Sequence, residues 1–152
     1  MKKKRYIVML IIIILLVIID QASKMVVNNY FADSQTIIKN IISIEKVENE
    51  GFAFGFNKEN IQNIILSIFV ILVIIKFLIK HEKHVNKLVI ICMSMIIAGG
   101  IGNLIDRIFR GAVFDFIKLG INFPVFNFAD IFIFIGWIIY VVYLMIFAFR
   151  TI

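Results

Sequence analysis

Asp106, Asp115 and Asp130, together with Asn103, Arg107 and Asn127, fall within the stretch GGIGNLIDRIFRGAVFDFIKLGINFPVFNFAD at residues 99–130, between two long apolar runs. A carboxylate at the edge of hydrocarbon is costly, so such residues mark functional sites. Asp115 stands between Phe114 and Phe116, and Asp130 follows Phe128 and Ala129, with no basic residue directly beside either. Carboxyl groups in apolar surroundings hold their protons more tightly, and two brought close cannot both ionise readily. Such a pair shares a proton. One member serves as general base for water; the other protonates a carbonyl oxygen and then a leaving amine. That is aspartic-peptidase chemistry, which requires no serine, cysteine or metal. The rest of the chain offers little competition. Ser94 lies mid-run without a nearby base, and the single cysteine, Cys92, sits in an apolar run as packing. The only histidines, His81 and His84, share a short basic loop with Glu82, a poor metal site and a good solvated loop. No cofactor and no metal are expected.

The elements that must position these side chains are membrane helices. Of 152 residues, 62% are hydrophobic, and the mean hydropathy is +1.02. Soluble domains run at about 45–50% apolar, so the composition is that of a polytopic membrane protein, folded as a single membrane domain over 1–152. The formal net charge of +6 does not indicate nucleic acid, because the lysines cluster beside apolar runs as cytoplasmic flanks do. MKKKR at the start precedes a run that could be a signal peptide, with Ala22 and Ser23 as a conceivable cleavage site. The apolar pattern resumes at Met25, however, and three more runs follow. The expected spans are about 7–27, 61–79, 85–105 and 125–149, long enough to cross. Lys76, Lys80, Lys83 and Lys87 place the 80–84 loop in the cytoplasm with both termini, which leaves segments 28–60 and 106–124 outside. The first outer segment is net acidic. Within it Ile37–Ile44 and Phe52–Phe56 read as strands of a small sheet, punctuated by Asn49, Gly51 and Gly55, with Gly51 at a turn or close backbone approach. Pro124, the only proline, marks the first turn of the last span. Gly99, Gly100 and Gly102 permit close helix contact. The fold class is therefore α-helical integral membrane: four transmembrane helices with a small extracytoplasmic β-sheet.

This topology lets the polar residues meet. At about 1.5 Å per residue, Asp20 lies about 20 Å from the inner edge, Asn103 about 27 Å, and Asp130 about 9 Å below the outer edge. Three helices thus carry polar groups into the outer third of the bilayer. Asp20 and Lys24, four residues apart, can pair. Asn103, Asp106 and Arg107 share one helix face, and Asn127 and Asp130 another. Ion pairs and amide contacts that merely fasten helices together are an equal alternative for Asp20, Lys24, Asn103, Asp106 and Arg107. Two other functions remain open on the residues alone. One is a proton-coupled transporter or small channel, since membrane carboxylates serve proton relays. The other is a non-enzymatic assembly factor.

Five blocks carry a resemblance: DQASK at 20–24, NEGFAFG at 49–55, GGIGNLIDR at 99–107, VFDF at 113–116 and FNFAD at 126–130. In this order on four spans, they make the chain similar to the lipoprotein signal peptidases (signal peptidase II) over nearly its whole length. The resemblance implies a membrane aspartic endopeptidase that removes the signal peptide from diacylglyceryl-modified prolipoproteins, just before the lipidated cysteine. It implies catalytic roles for Asp115 and Asp130, and site-supporting or substrate-contacting roles for Asp20, Lys24, Asn49, Gly51, Asn103, Asp106, Arg107 and Asn127. It further implies a monomer in the bacterial cytoplasmic membrane, in contact with lipid and prolipoprotein, with its site near the outer face and its sheet cradling the substrate. Phe52 departs from the family's pattern, where smaller residues are common.

Overall fold

In the computed structural model, residues 2–51, 60–81 and 85–149 are described. Four helices account for most of them: α1 (Lys2–Tyr30), α2 (Asn60–Lys80), α3 (Lys87–Phe109) and α4 (Phe128–Phe149). All four are long and apolar enough to cross a membrane. Their outward faces carry exposed Ile, Leu, Val and Phe, such as Ile11, Leu15, Phe69, Leu72 and Phe147, which suits a hydrocarbon solvent. Helix α3 is the hub: half of its hydrophobic window is buried, against 6% or 11% in the other three. Asn86 starts it, accepting a hydrogen bond from the Val89 amide at 2.9 Å, a standard N-cap. Ile97 and Ala98 of α3 pack with Ile13 of α1 and Leu78 of α2 in the main core. A Cβ at Gly99 would collide with the Ala129 carbonyl of α4. That close approach presses α3 against the start of α4, a contact made possible by the small residue.

The sheet has three antiparallel strands in the order β1-β2-β3: β1 (Ser34–Ile38), β2 (Ile42–Asn49) and β3 (Val113–Leu119). Two expectations are corrected here. The run Ile37–Ile44 is not one strand but straddles a hairpin, because Lys39–Ile41 turn with Asn40 at φ +61°. Asparagine tolerates that left-handed backbone better than most residues. And β3, expected only as connection, pairs with β2 from Ile42↔Leu119 to Asn49↔Val113. The expected strand Phe52–Phe56 lies outside the described residues.

Helix ends shift for local reasons. Helix α3 runs on to Phe109, four residues beyond the expected end, because the Arg110 amide closes the last turn on the Asp106 carbonyl at 2.7 Å. Helix α4 begins at Phe128 rather than Val125. Phe126 is held extended by bridging to Ile117 of β3, so the helix starts only after that pairing ends. On one side of the sheet Phe114, Phe116 and Ile117 pack with Ile44, Val27, Phe31 and Phe128. This cluster seats β3 on the outer ends of α1 and α4.

Candidate active site

Lys24 is fully buried and its ammonium has three oxygen partners. It lies 2.8 Å from Asp20 Oδ2, 2.6 Å from Asp106 Oδ2, and 3.3 Å from Asn103 Oδ1. These oxygens match the three donors of an ammonium group. Two buried carboxylates around one buried lysine survive only if the remaining oxygens are also satisfied, and they are. Asp20 Oδ1 accepts the Ala129 amide at 2.9 Å, and Asp106 Oδ2 accepts the Phe114 amide at 3.2 Å. Gln21 Nε2 lies within 3.1–3.2 Å of Asp20 Oδ2, the Gly102 carbonyl and Asp106 Oδ1. Arg110 Nε stands 3.7 Å from Asp106 Oδ1 on the partly exposed rim. The cluster thus ties α1 to α3, to the first residues of β3 and to the N-terminus of α4.

On that frame sit the two candidate catalytic carboxyls. Asp115 comes from β3 and is 2% exposed. Its Oδ2 accepts Asn49 Nδ2 at 3.0 Å, and its Oδ1 accepts Asn127 Nδ2 at 2.6 Å. Asp130 comes from the first turn of α4. Its Oδ1 accepts Asn103 Nδ2 at 2.8 Å, and its Oδ2 accepts the Asn127 amide at 3.2 Å. In return the Asp130 amide donates to Asn127 Oδ1 at 3.0 Å. Asn127 and Asp130 therefore form a reciprocal capping box, which satisfies two of the helix-end amides and fixes both side chains. Asn127 is the bridge of the site: it bonds Asp115, Asp130 and also Asn103 Oδ1 at 3.1 Å. Among the described residues the two carboxyls are joined through amides rather than by a direct hydrogen bond.

Electrostatics follow from this placement. Burial first, and the neighbouring Asp130 charge second, push the Asp115 carboxyl from its ordinary 3.8 up to about 7. The Asn49 and Asn127 amides and the Lys24 charge pull it the other way without prevailing. A carboxyl that titrates near neutrality can hold or release a proton at working pH. Two carboxyls in apolar surroundings, one able to keep a proton, with room between them set by amides, can activate water against a carbonyl carbon.

All ten sequence-selected residues converge on this one end of the bundle. Asp20 and Lys24 pair as spacing suggested. Asp106 and Arg107, adjacent in sequence, part company. Asp106 turns to Lys24, whereas Arg107 reaches the Gly51 carbonyl at 3.2 Å and the Asn103 carbonyl at 3.4 Å. Gly51 contributes backbone groups, its amide also donating to Asn49 Oδ1 at 3.1 Å. The sequence reading passed over Gln21 and Gly102. A Cβ at Gly102 would sit 2.5 Å from Asp20 Oδ2, so the glycine makes space for the buried carboxylate. Gln21 was visible inside DQASK, but nothing in a sequence announces that its amide bridges α1 to α3.

Comparison with known proteins places this geometry. The family model described as Signal peptidase (SPase) II matches residues 12–147. The lipoprotein signal peptidase of Wigglesworthia glossinidia brevipalpis is 39% identical over 133 residues, covering 84% of this chain and 87% of that one. That of Fusobacterium nucleatum subsp. nucleatum is 36% identical over 126 residues, 80% and 76% of the respective chains. Among solved structures, a bacterial membrane enzyme determined by the in meso method superposes with a TM-score of 0.83 at 30% identity, covering 91% of this chain and 87% of that one. A second, of the same description, gives 0.81 at 31% identity, with coverage of 90% and 92%. With its four membrane-spanning helices and nearly its full length matched, the chain belongs to the signal peptidase II family of bacterial membrane peptidases.

Proposed function

We propose that this protein is an aspartic endopeptidase that removes the signal peptide from diacylglyceryl-modified prolipoproteins, cutting just before the lipidated cysteine. The observation that carries the reading is the bridge made by Asn127, which brings Asp115 of β3 and Asp130 of α4 onto one amide side chain. Between them the pair holds one proton. The ionised member takes a proton from water, and the water oxygen attacks the scissile carbonyl carbon. The protonated member gives its proton to the carbonyl oxygen. The proton just gained by the base then passes to the leaving amine as the C–N bond breaks. The products are a signal peptide carboxylate and the free amine of the lipidated cysteine. Lys24, with Asp20 and Asp106, balances charge beside the pair, and Asn49, Asn103 and Asn127 orient the two carboxyls. The reading places both termini in the cytoplasm and the site near the outer face, because basic residues flank the opposite ends of the helices. Polar side chains gathered at one end of the bundle favour a site over a path across the bilayer.

The test is incubation of the purified protein with a diacylated prolipoprotein peptide, with the cut located by mass. Cleavage at the bond before the lipidated cysteine is expected. Asp115→Asn and Asp130→Asn should each abolish it while the protein still inserts and folds. Full activity in either variant removes the mechanism.

A further inference from the structure

We propose that the far end of the sheet is a subsite for the mature part of the substrate, the three or four residues that follow the lipidated cysteine. This deepens the function proposed above and rests on it. A cavity of about 310 Å³ opens there, floored by Thr36, Ser43, Glu45 and Lys118 and rimmed by aliphatic residues that include Ile38 and Ile121. Its position relative to the catalytic pair is the main argument. Asp115 and Lys118 lie on the same strand, β3, three residues apart, which is about 10 Å in extended chain. Both stand outside the apolar cluster formed by Phe114, Phe116 and Ile117. Both instead meet polar side chains of β2, Asn49 for Asp115 and Glu45 for Lys118 at 2.9 Å. The pairs Thr36↔Ser43 and Ser43↔Lys118 place the cavity floor on a single row across all three strands, since directly paired residues share a face.

An irregularity accounts for that arrangement. In a regular strand, residues three apart project from opposite faces. Here the β2–β3 register slips between Ile44 and Val47, and the Phe116 and Ile117 amides both donate to the Phe126 carbonyl. A bulge of this kind re-aims side chains near a functional site. It leaves a polar row, Asn49, Asp115, Lys118 and Glu45, that leads from the scissile-bond position to the cavity.

The chemistry of the floor selects the occupant. Hydroxyls and an ion pair under an aliphatic rim suit an extended peptide, whose amides and alternating side chains meet both. They do not suit an acyl chain, which finds no dry floor. With one residue per about 3.3 Å, the third and fourth residues after the cut reach Glu45 and Lys118. Neither side chain is fully buried, with relative exposures of 39% and 22%, so each remains able to exchange its partner for a substrate group.

The experiment uses the full-length protein in lipid with diacylglyceryl-cysteine peptides of one signal sequence, carrying one, two, four or six mature residues. Kcat and KM are measured for each length. The expected result is a drop in KM of about tenfold or more between one and four mature residues, with kcat nearly level. In Glu45→Ala/Lys118→Ala that ratio of long to short peptide should collapse towards one. In Glu45→Ala alone, an acidic residue at the third or fourth mature position should gain over a basic one, with the opposite preference in Lys118→Ala. A KM independent of mature length, or a length dependence untouched in the double variant, overturns the subsite while leaving the peptidase reading intact. Rates that follow phospholipid headgroup rather than peptide length assign the cavity to lipid and equally overturn it. If no peptide of any length is cut, the peptidase reading fails and the subsite fails with it.

Discussion

A carboxyl raised to about 7 by burial and a like charge leaves a signature in both activity and stability. As acid in the shared-proton pair it must keep its proton, so cleavage is expected to fall as pH rises above about 7. Stability moves in the same direction over a different window. Between the ordinary value of 3.8 and about 7, the folded protein binds more proton at Asp115 than the unfolded chain does. Stability therefore declines as pH rises through that window and is level above it, by a few kcal/mol at most at about 1.4 kcal/mol per unit. Asp115→Asn removes this liability. Its thermal midpoint should change less between pH 5 and pH 8 than that of the parent protein, while cleavage is lost, a familiar trade between stability and activity. Equal pH slopes for the two would place the titrating group elsewhere. Lys24 behaves in the opposite way. Lys24→Met strands Asp20 and Asp106 in the interior and should cost about 3–5 kcal/mol, read as a large fall in thermal midpoint.

The elements show why placement depends on so few local devices. Helix α4 starts at Phe128 through the capping box of Asn127 and Asp130. Asn127→Ala should cost about 1 kcal/mol of stability as a lost cap. Its effect on cleavage should be larger, about 100-fold or more, because both carboxyls lose their orienting amide. A loss of activity no greater than the loss of folded protein would reduce Asn127 to a cap. Gly102→Ala brings a methyl to 2.5 Å from Asp20 Oδ2. Overpacking of that kind costs about 1–3 kcal/mol, and it should displace Asp20 from the Ala129 amide, so activity and thermal midpoint fall together. The four spans were legible because each is a long apolar run. β3 was not, because VFDFIKL becomes a strand by pairing with β2, about seventy residues away in the chain. The start of α4 was misplaced for a related reason: proline favours a helix start, but the Phe126–Ile117 bridge holds the chain extended past it.

At the scale of the whole molecule, one helix organises the rest. Helix α3 carries Asn103, Asp106 and Arg107 on its outer end and packs against the other three. The lysines Lys76, Lys80 and Lys87 stand at the opposite end of the bundle. The proposed orientation can be checked by labelling with a membrane-impermeant maleimide. Thr36→Cys, on the exposed strand β1, should react in intact cells, whereas Lys80→Cys should react only after permeabilisation. Cys92 is 1% exposed and should contribute no background. Labelling in the reverse order would invert the topology and put the candidate site on the wrong side for secreted precursors.

By itself the sequence determined that this is a four-span membrane protein, and that ten polar residues belong to one end of it. Hydrophobic length and helical spacing are local properties, and they can be read along a chain. Only the tertiary structure decided how those residues divide their work. Asp106 turns to Lys24 and Arg107 to Gly51, although they are neighbours in sequence. Asp115 gains its raised proton affinity from burial under a strand whose pairing is distant in the chain. Those outcomes depend on which groups lose water together, and desolvation is set by contacts between segments rather than by the order of residues within one.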